Sequence, residues 1–398
     1  MTITIDANQT TTLNLTVAGT EAEILENISI TTEHDYGVVI ASTATNAELM
    51  VNGHITVSTV DYAAINSTAD SVDITVGDHG SVSGEKGINL FGYGSRIQNH
   101  GTISGKDYGV FAQAGDAEVE NWGTILSTTG HAVDLQGASG YLENHGTVRG
   151  DVGINVHTTV TNQVTTIYNY GLIKGASAAI VADETGTGME RVYNTGIITG
   201  AVNLGAADDL LSNYGGVVKG NVEGGSGQDW LWLNGGSVTG NVHGGDGDDV
   251  FHIGRGSVKG IISGDAGDDN YYVDHANARI VESAGQGNDW LYASSNFTLG
   301  KNIHIETLFA NTAGISVTGN NLDNVLGGAD GSERLSGDGG DDALEGYAGR
   351  DILTGGSGSD TFLFQPGTGS DRITDFDAKG ADHDHIKIDG TFGPQSFD

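Results

Sequence analysis

The sequence predicts an all-β fold, a right-handed parallel β-helix that continues into a β-roll. Three periodicities predict it. Asp209, Asp229, Asp249, Asp269 and Asp289 recur twenty residues apart, and four of them close a glycine-rich hexapeptide: GGSGQD (224–229), GGDGDD (244–249), GDAGDD (264–269) and AGQGND (284–289). Further on the period shortens to nine, in GNNLDNVLG (319–327), GADGSERLS (328–336), GDGGDDALE (337–345), GYAGRDILT (346–354) and GGSGSDTFL (355–363). Upstream, Asn99, Asn121, Asn144, Asn169 and Asn194 open Asn-x-Gly units separated by 22, 23, 25 and 25 residues. A carboxylate that returns after glycines at a fixed interval marks a solenoid with calcium-binding turns. A unit of the longer kind, with short β-branched strands and Gly/Asn turns, is one coil of a parallel β-helix.

Composition agrees. The chain has 398 residues with 65 Gly and only 2 Pro, yet 37% are hydrophobic and regularly placed, which favours a repeat architecture over disorder. The 16 Lys+Arg against 52 Asp+Glu give a formal charge of −36. That excludes nucleic acid and anionic membrane surfaces as partners and calls for bound cations to relieve self-repulsion. Cysteine is absent, so there are no disulfides or thiolate sites. The first residues lack the basic start and apolar core of a Sec signal, and no run approaches the eighteen apolar residues of a membrane span. Membrane insertion is not expected.

The elements follow in order. Residues 1–48 alternate apolar and polar (Ile3, Ile5, then Leu13, Leu15, Val17) and read as an N-terminal β cap over the first rung. The parallel β-helix occupies 49–203, where glycine supplies positive φ at the corners and stacked Asn side chains bond to backbone inside the turns. Residues 204–292 form twenty-residue calcium-binding rungs. Residues 293–318 read as a pair of connecting strands, 319–364 as the nonapeptide β-roll, and 365–398 as a C-terminal cap around Ile373, Phe376, Ile386 and Ile388. No amphipathic helical stripe is found.

The nonapeptides fit GGxGxDxUx, with the large apolar U taken by Leu326, Leu335, Leu344, Leu353 and Phe362. In this the turns resemble the RTX family. The passage EGGSGQDWLWLNGGSVTG is similar to the longer RTX rungs of bacterial adhesins, and TLGKNIHIETL, GNNLDNVLGG and DRITDF resemble segments common in RTX proteins. The resemblance covers 204–390, and the upstream coils resemble the β-helices of bacterial surface adhesins. It implies calcium between stacked turns, held by carbonyls from positions two and four of one turn, positions one and three of the next, and two position-six carboxylates. Carried over, one site takes Asp338, Gly340 and Asp342 with Gly355, Ser357 and Asp360. Another takes Gly225, Gly227 and Asp229 with Gly244, Asp246 and Asp249. The next takes Gly245, Gly247 and Asp249 with Gly264, Ala266 and Asp269. The same turns bring Asp265, Gly267, Asp289 and Asp351 into the candidate set. Asn324 and Glu333 depart from the pattern at position six.

The chemistry agrees independently, because calcium takes six to eight hard oxygens from carboxylates and carbonyls. Extracellular calcium modules often have dissociation constants of ~10⁻⁴–10⁻³ M. Roughly six such sites at ten times that concentration would add about 8 kcal/mol, comparable to the whole stability of a domain. The expectation is a chain unfolded in calcium-poor cytoplasm that folds outside the cell. RTX proteins are usually exported by type I machinery reading an uncleaved C-terminal signal. The resemblance therefore implies a secreted bacterial protein, structural or adhesive, at the cell surface or in extracellular matrix. The chain ends TFGPQSFD soon after the cap, so the expected signal is short or missing.

No HExxH or GxSxG occurs, and no catalytic residue is assigned. In the twenty-residue block Leu231, Phe251, Tyr271 and Leu291 should point inward, and so should Leu233, Ile253 and Val273. Trp232, His252, Tyr272 and Tyr292 then face out, with Trp230 and Trp290 in the neighbouring column. Trp230, Trp232, Tyr272 and Tyr292 are a candidate ligand-binding ladder for an extracellular polysaccharide or a surface partner. The bland alternative is a ladder that is covered or only stabilises the sheet. The alternative function is a carbohydrate-active β-helix enzyme of lyase or epimerase type with an RTX module. Acid, base and cation clustered in a groove on the 49–203 coils would be its mark.

Overall fold

The computed structural model describes residues 1–137, 139–158, 160–255, 257–367, 369–380 and 382–389, so the terminal TFGPQSFD lies outside the described residues. The chain packs as two compact units, residues 1–227 with 235–241 and residues 228–234 with 242–398. The described strand pairings are parallel, and among the described residues there is no helix, hence none long and apolar enough to cross a membrane. The fold is the all-β parallel β-solenoid that the periods predict.

In the first unit one ladder runs from Thr2–Ile5 through Glu21–Ile24, Glu48–Val51, Asp73–Val76, Arg96–Asn99, Ala117–Asn121, Gly140–Asn144, Val164–Asn169 and Met189–Asn194 to Leu210–Ser212. Residues 1–48 thus already form rungs in register with those that follow. The side chains of this ladder alternate in burial, as strand geometry requires. Ile24, Leu49, Val51, Ile74, Val76, Ile97, Val119, Leu142, Ile167 and Val192 are buried, and the residues between them face out.

The innermost column changes chemistry along the coil. It is apolar at Ile24, Val51 and Val76, and becomes asparagine at Asn99, Asn121, Asn144, Asn169, Asn194 and Asn213, all fully buried. Each of the first five donates its Nδ2–H to the Oδ1 of the next, at 2.7–2.8 Å. Several also donate to backbone carbonyls, among them Asn99 to Thr124 and Asn144 to Leu172. The bonds are therefore side chain to side chain as well as side chain to backbone. The ladder satisfies amides that have no access to water.

In the second unit the principal ladder joins Trp230–Leu233, Val250–Ile253, Asn270–Val273, Trp290–Ala293, Thr307–Ala310, Val325–Gly327, Ala343–Glu345, Thr361–Phe364 and His385–Ile388. A second ladder stacks Phe297–Thr298, Ser316–Thr318, Arg334–Gly339, Ile352–Ser357 and Arg372–Ile373. Three short strands thus lie within 293–318. Leu231, Phe251, Tyr271 and Leu291 are buried, as are Leu308, Leu326, Leu335, Leu344, Leu353 and Phe362. The U positions of the nonapeptides are therefore the core, and the intervening glycine-rich hexapeptides form the edges.

Candidate metal centre

The hexapeptide turns owe their shape to two left-handed residues. Positions two and four have positive φ in GGDGDD (Gly245 121°, Gly247 127°) and in GGSGSD (Gly356 113°, Gly358 132°). Position two tolerates a side chain, since Asp265 and Asp338 adopt φ of 71° and 80° there. Position four does not. A Cβ built on Gly358 would lie 2.0 Å from the Gly340 carbonyl oxygen, so only glycine combines the required φ with that close approach.

The position-six aspartates stack into a ladder. Asp249 Oδ1 accepts the N–H of Asp229, Asp269 Oδ1 that of Asp249, and Asp289 Oδ1 that of Asp269, at 2.7, 2.7 and 3.0 Å. On one edge of the nonapeptide block Asp342 accepts from Asn324, and Asp360 from Asp342, at 2.7 and 2.9 Å. On the other edge Asp351 accepts from Glu333 at 2.8 Å. One oxygen of each carboxylate is thereby used. The other oxygen, Oδ2 of Asp249, Asp269, Asp342, Asp351 and Asp360, is buried without a hydrogen-bond partner. Position one is glycine because this oxygen lies over it. A Cβ on Gly244, Gly337 or Gly355 would stand 2.0, 1.9 or 2.1 Å from the Oδ2 of its own turn's aspartate.

Electrostatics tell the same story. Burial, and then neighbouring carboxylates, push Asp249 and Asp269 up to about 8, Asp289 and Asp342 up to about 7, and Asp351 up to about 6, against the backbone N–H bonds that lower them. Stacked anions in a dry edge are unfavourable unless a cation neutralises them. The donor set of anionic oxygens without partners, beside turn carbonyls, fits calcium. Among the described residues no three carboxylate or imidazole side chains converge as on a metal, so backbone carbonyls must supply most ligands.

The sequence-derived sets fall as follows. Gly245, Gly247 and Asp249 stack on Gly264, Ala266 and Asp269, with Gly247 N–H donating to the Ala266 carbonyl at 2.6 Å. Asp338, Gly340 and Asp342 stack on Gly355, Ser357 and Asp360, with Gly340 N–H donating to the Ser357 carbonyl at 3.0 Å. Each position-three carbonyl thus has one lone pair engaged. Gly225 and Gly227 fold in the first unit, with φ of 121° and 129°, whereas Asp229 folds in the second. The two departures explain themselves. Glu333 accepts N–H bonds on both oxygens, from Gly314 and Ala329, and Asn324 bonds Asn320 N–H and the Ile305 carbonyl. Neither leaves an oxygen unpartnered. Sequence reasoning missed Asp371 and Asp384, whose Oδ1 atoms accept Asp351 and Asp360 N–H at 3.0 and 3.1 Å and prolong both edges. The spacing of twenty between Asp351 and Asp371 was the available signal.

Residues 327–362 carry four copies of the RTX calcium-binding nonapeptide repeat. This RTX segment contains Asp342, Asp351 and Asp360 and ends at Phe362, the last U residue. The twenty-residue rungs lie outside it but share its ladder of bonds and its partnerless oxygens. No curated protein matches the chain.

The outward column beside the twenty-residue turns is also as read. His252, Tyr272 and Tyr292 stack at 4.6 and 4.8 Å within 9° of parallel, and Phe309 extends the stack at 5.6 Å. Their ring faces cover one another. Trp232 meets His252 edge-on at 5.3 Å and lies nearly parallel to Trp230 at 6.5 Å. Trp230, Trp232 and Trp290 remain 51%, 43% and 44% exposed. A planar ligand would find its free ring faces on these tryptophans rather than on Tyr272 or Tyr292.

Proposed function

We propose that this protein is a secreted, calcium-dependent β-solenoid with a structural or adhesive role outside the cell. The observation that carries the reading is the row of buried Oδ2 atoms on Asp249, Asp269, Asp342, Asp351 and Asp360 without hydrogen-bond partners. Carboxylates placed there cost stability without a cation and contribute stability with one. Asp249 and Asp269, with carbonyls of their turns, would hold one ion. Asp342 and Asp360 would hold another. Calcium supplies there the charge neutralisation and oxygen ligation that the stacked turns lack. Coupling of folding to extracellular calcium follows, and export as an unfolded acidic chain suits it. Circular dichroism during a calcium titration, with magnesium as control, tests this. Cooperative gain of β signal at roughly millimolar calcium is expected from the affinities of extracellular modules. A chain equally folded and equally protease-resistant in chelator would sink the reading. For the adhesive role, Trp230 and Trp232 are the contact residues we favour for an extracellular polysaccharide. Glycan-array binding unchanged by Trp232→Ala would remove them.

A second reading has a specific observation in its favour. On the outer face of the first unit, consecutive rungs align Arg96 with Glu118 and Tyr141, and Gln98 with Glu120 and Glu143. Arg96 bonds Glu120 and stands 3.6 Å from Glu118, and Gln98 Nε2 donates to Glu120 at 3.0 Å. Glu143 accepts from Tyr141 at 2.6 Å and contacts His145 at 2.7 Å. Burial raises Glu118. Burial also acts on Glu120, but the bonds from Arg96 and Gln98 outweigh it and hold that carboxyl low. Neighbouring carboxylates whose proton affinities are pushed apart are what acid–base chemistry needs. A cavity of about 520 Å³ reaches this patch at Arg96 and Gln98. A carbohydrate-active site here would release reducing ends or unsaturated sugars from polysaccharide, and Glu118→Gln should abolish the release. Absence of product from a broad panel would leave the face an ion-pair network.

A further inference from the structure

Another ladder of the first unit stacks Ser81–Leu90, Thr102–Ala112, His131–Gly137 and Thr147–Thr158. Its register sets Lys86 beside Tyr108 and Tyr108 beside His131. Lys86 Nζ stands 5.9 Å from the centre of the Tyr108 ring, and the Tyr108 and His131 rings meet edge to face at 5.5 Å. The three side chains therefore project from one face of consecutive rungs. His131 Nδ1 lies 2.8 Å from Asp134 Oδ2. A cation, a phenol, an imidazole and a carboxylate thus form a continuous row, on a ladder other than the one that carries Arg96 and Glu118.

Asp134 is the unusual member. It is 1% exposed, its Oδ1 has no hydrogen-bond partner, and its register neighbours are Phe111 and Asn155. The pairs His157–Asp183 and His243–Asp265 make the same contact, but their carboxylates are 20% and 36% exposed. A carboxylate buried with one oxygen unpaired costs stability, which an imidazole that becomes charged during a reaction would offset. Asp134 accepts, so the neutral His131 ring carries its proton on Nδ1 and presents the lone pair of Nε2. The His131 side chain remains 30% exposed. Burial first, and then Asp134 and Asp107, push the Tyr108 phenol up, so it keeps its proton. One carboxylate lies in this row and it is engaged by His131, so the two-carboxylate chemistry of glycoside hydrolysis does not fit. Base, acid and cation suit proton abstraction beside a substrate carboxylate, whose charge an ammonium neutralises.

We propose that Lys86, Tyr108, His131 and Asp134 form a site for β-elimination on a uronate-containing polysaccharide. His131 Nε2 takes the proton from C5 of a uronate unit. The electron pair of that C–H bond forms the C4=C5 double bond, and the C4–O4 bond breaks as the Tyr108 hydroxyl protonates O4. Lys86 neutralises the carboxylate borne by C5. Asp134 is a positioning residue that orients His131 and stabilises its charged form. Proton exchange with water then restores His131 and Tyr108. Base and acid stand on one face of the sheet. The sugar must therefore present its C5 hydrogen and O4 on one side of the ring, as mannuronate and glucuronate do and galacturonate does not. The inference does not rest on the calcium reading, and it shares only a polysaccharide substrate with the Arg96–Glu118 patch.

The full chain in saturating calcium, incubated with polymannuronate, polyglucuronate and polygalacturonate, tests this through the ultraviolet absorbance of the conjugated C4=C5 bond. Product is expected from one or both of the first two. Tyr108→Phe keeps the ring packing and should lower kcat about a hundredfold or more, the scale of general acid catalysis. His131→Ala should abolish product. Asp134→Asn should lower kcat and leave KM unchanged, and an unchanged kcat overturns its positioning role. No product from polymannuronate or polyglucuronate overturns the proposal, and so does product from polygalacturonate alone. Product that survives both Tyr108→Phe and His131→Ala also overturns it, and its loss in Glu118→Gln would then assign the chemistry to the other ladder. Should His131→Ala fail to fold, Tyr108→Phe decides.

Discussion

Replacing Asp249 by asparagine is expected to stabilise the calcium-free protein and to destabilise the calcium-loaded one. Burial first, and then the charges of Asp229, Asp248 and Asp265, push this carboxyl from 3.8 to about 8, against the opposing bond from the Asp229 N–H. At pH 7 the folded state retains a proton that the unfolded chain has released about three pH units lower, which costs on the order of 4 kcal/mol. Asparagine removes that cost. It keeps an oxygen for the Asp229 N–H, which Asp249 Oδ1 accepts at 2.7 Å. It also introduces a buried amide donor, which takes back roughly 1–3 kcal/mol if unpaired. A net gain of ~1–3 kcal/mol in chelator remains. With calcium at a hundred times its dissociation constant, each lost site removes about 2.7 kcal/mol, and Asp249 belongs to both sequence-derived sites of this block, so the sign reverses. Urea denaturation at pH 7, in chelator and in saturating calcium, reads both values. A variant less stable than wild type in chelator would refute the reasoning, because the buried carboxylate would then be stabilising without a cation.

The remaining expectations concern pH, turns and ladders. Asp249, Asp269 and Asp342 are raised to about 8, 8 and 7 from 3.8. Their contribution is therefore fully present below the unfolded value and lost as pH rises through the folded ones. Melting temperature in chelator should fall between about pH 4 and pH 8, and calcium should flatten the profile. Gly358→Ala, at φ 132° and 2.0 Å from the Gly340 carbonyl oxygen, should cost at least ~2 kcal/mol in saturating calcium, read by denaturation midpoint. Asn144→Ala removes the side-chain acceptor of Asn121 Nδ2 and the donor to Asn169 Oδ1, and should destabilise the first unit by roughly 2–4 kcal/mol regardless of calcium. Tyr272→Ala opens a stack between His252 and Tyr292 and should cost about 1–3 kcal/mol, more than Trp232→Ala, whose ring is half exposed.

Much of the second unit was legible in the chain because a rung holds a whole number of periods, one in the twenty-residue block and two in the nonapeptide block. When the repeat length is constant, residues twenty or eighteen apart are stacked neighbours, so a column in the sequence is a column in space. The position-six aspartates, the apolar U residues and the outward rings were read this way, and the departures at Asn324 and Glu333 were visible as breaks. The first unit hid more. Its coils vary between 19 and 27 residues, so the alignment of Arg96 with Glu118 and Tyr141 cannot be counted off and exists only once the strands choose their register. The Asn column survived that variation because its Gly corner travels with it.

The sequence by itself determined the class of fold, the acidic turns and the cation they require, since all three depend on composition and period alone. Tertiary structure decided which oxygens have partners. Asp249 spends one oxygen on a backbone N–H and keeps the other, whereas Glu333 spends both. A carboxylate's identity is written in the chain, but whether it is satisfied depends on which N–H groups the stacked rungs bring within 3 Å of it.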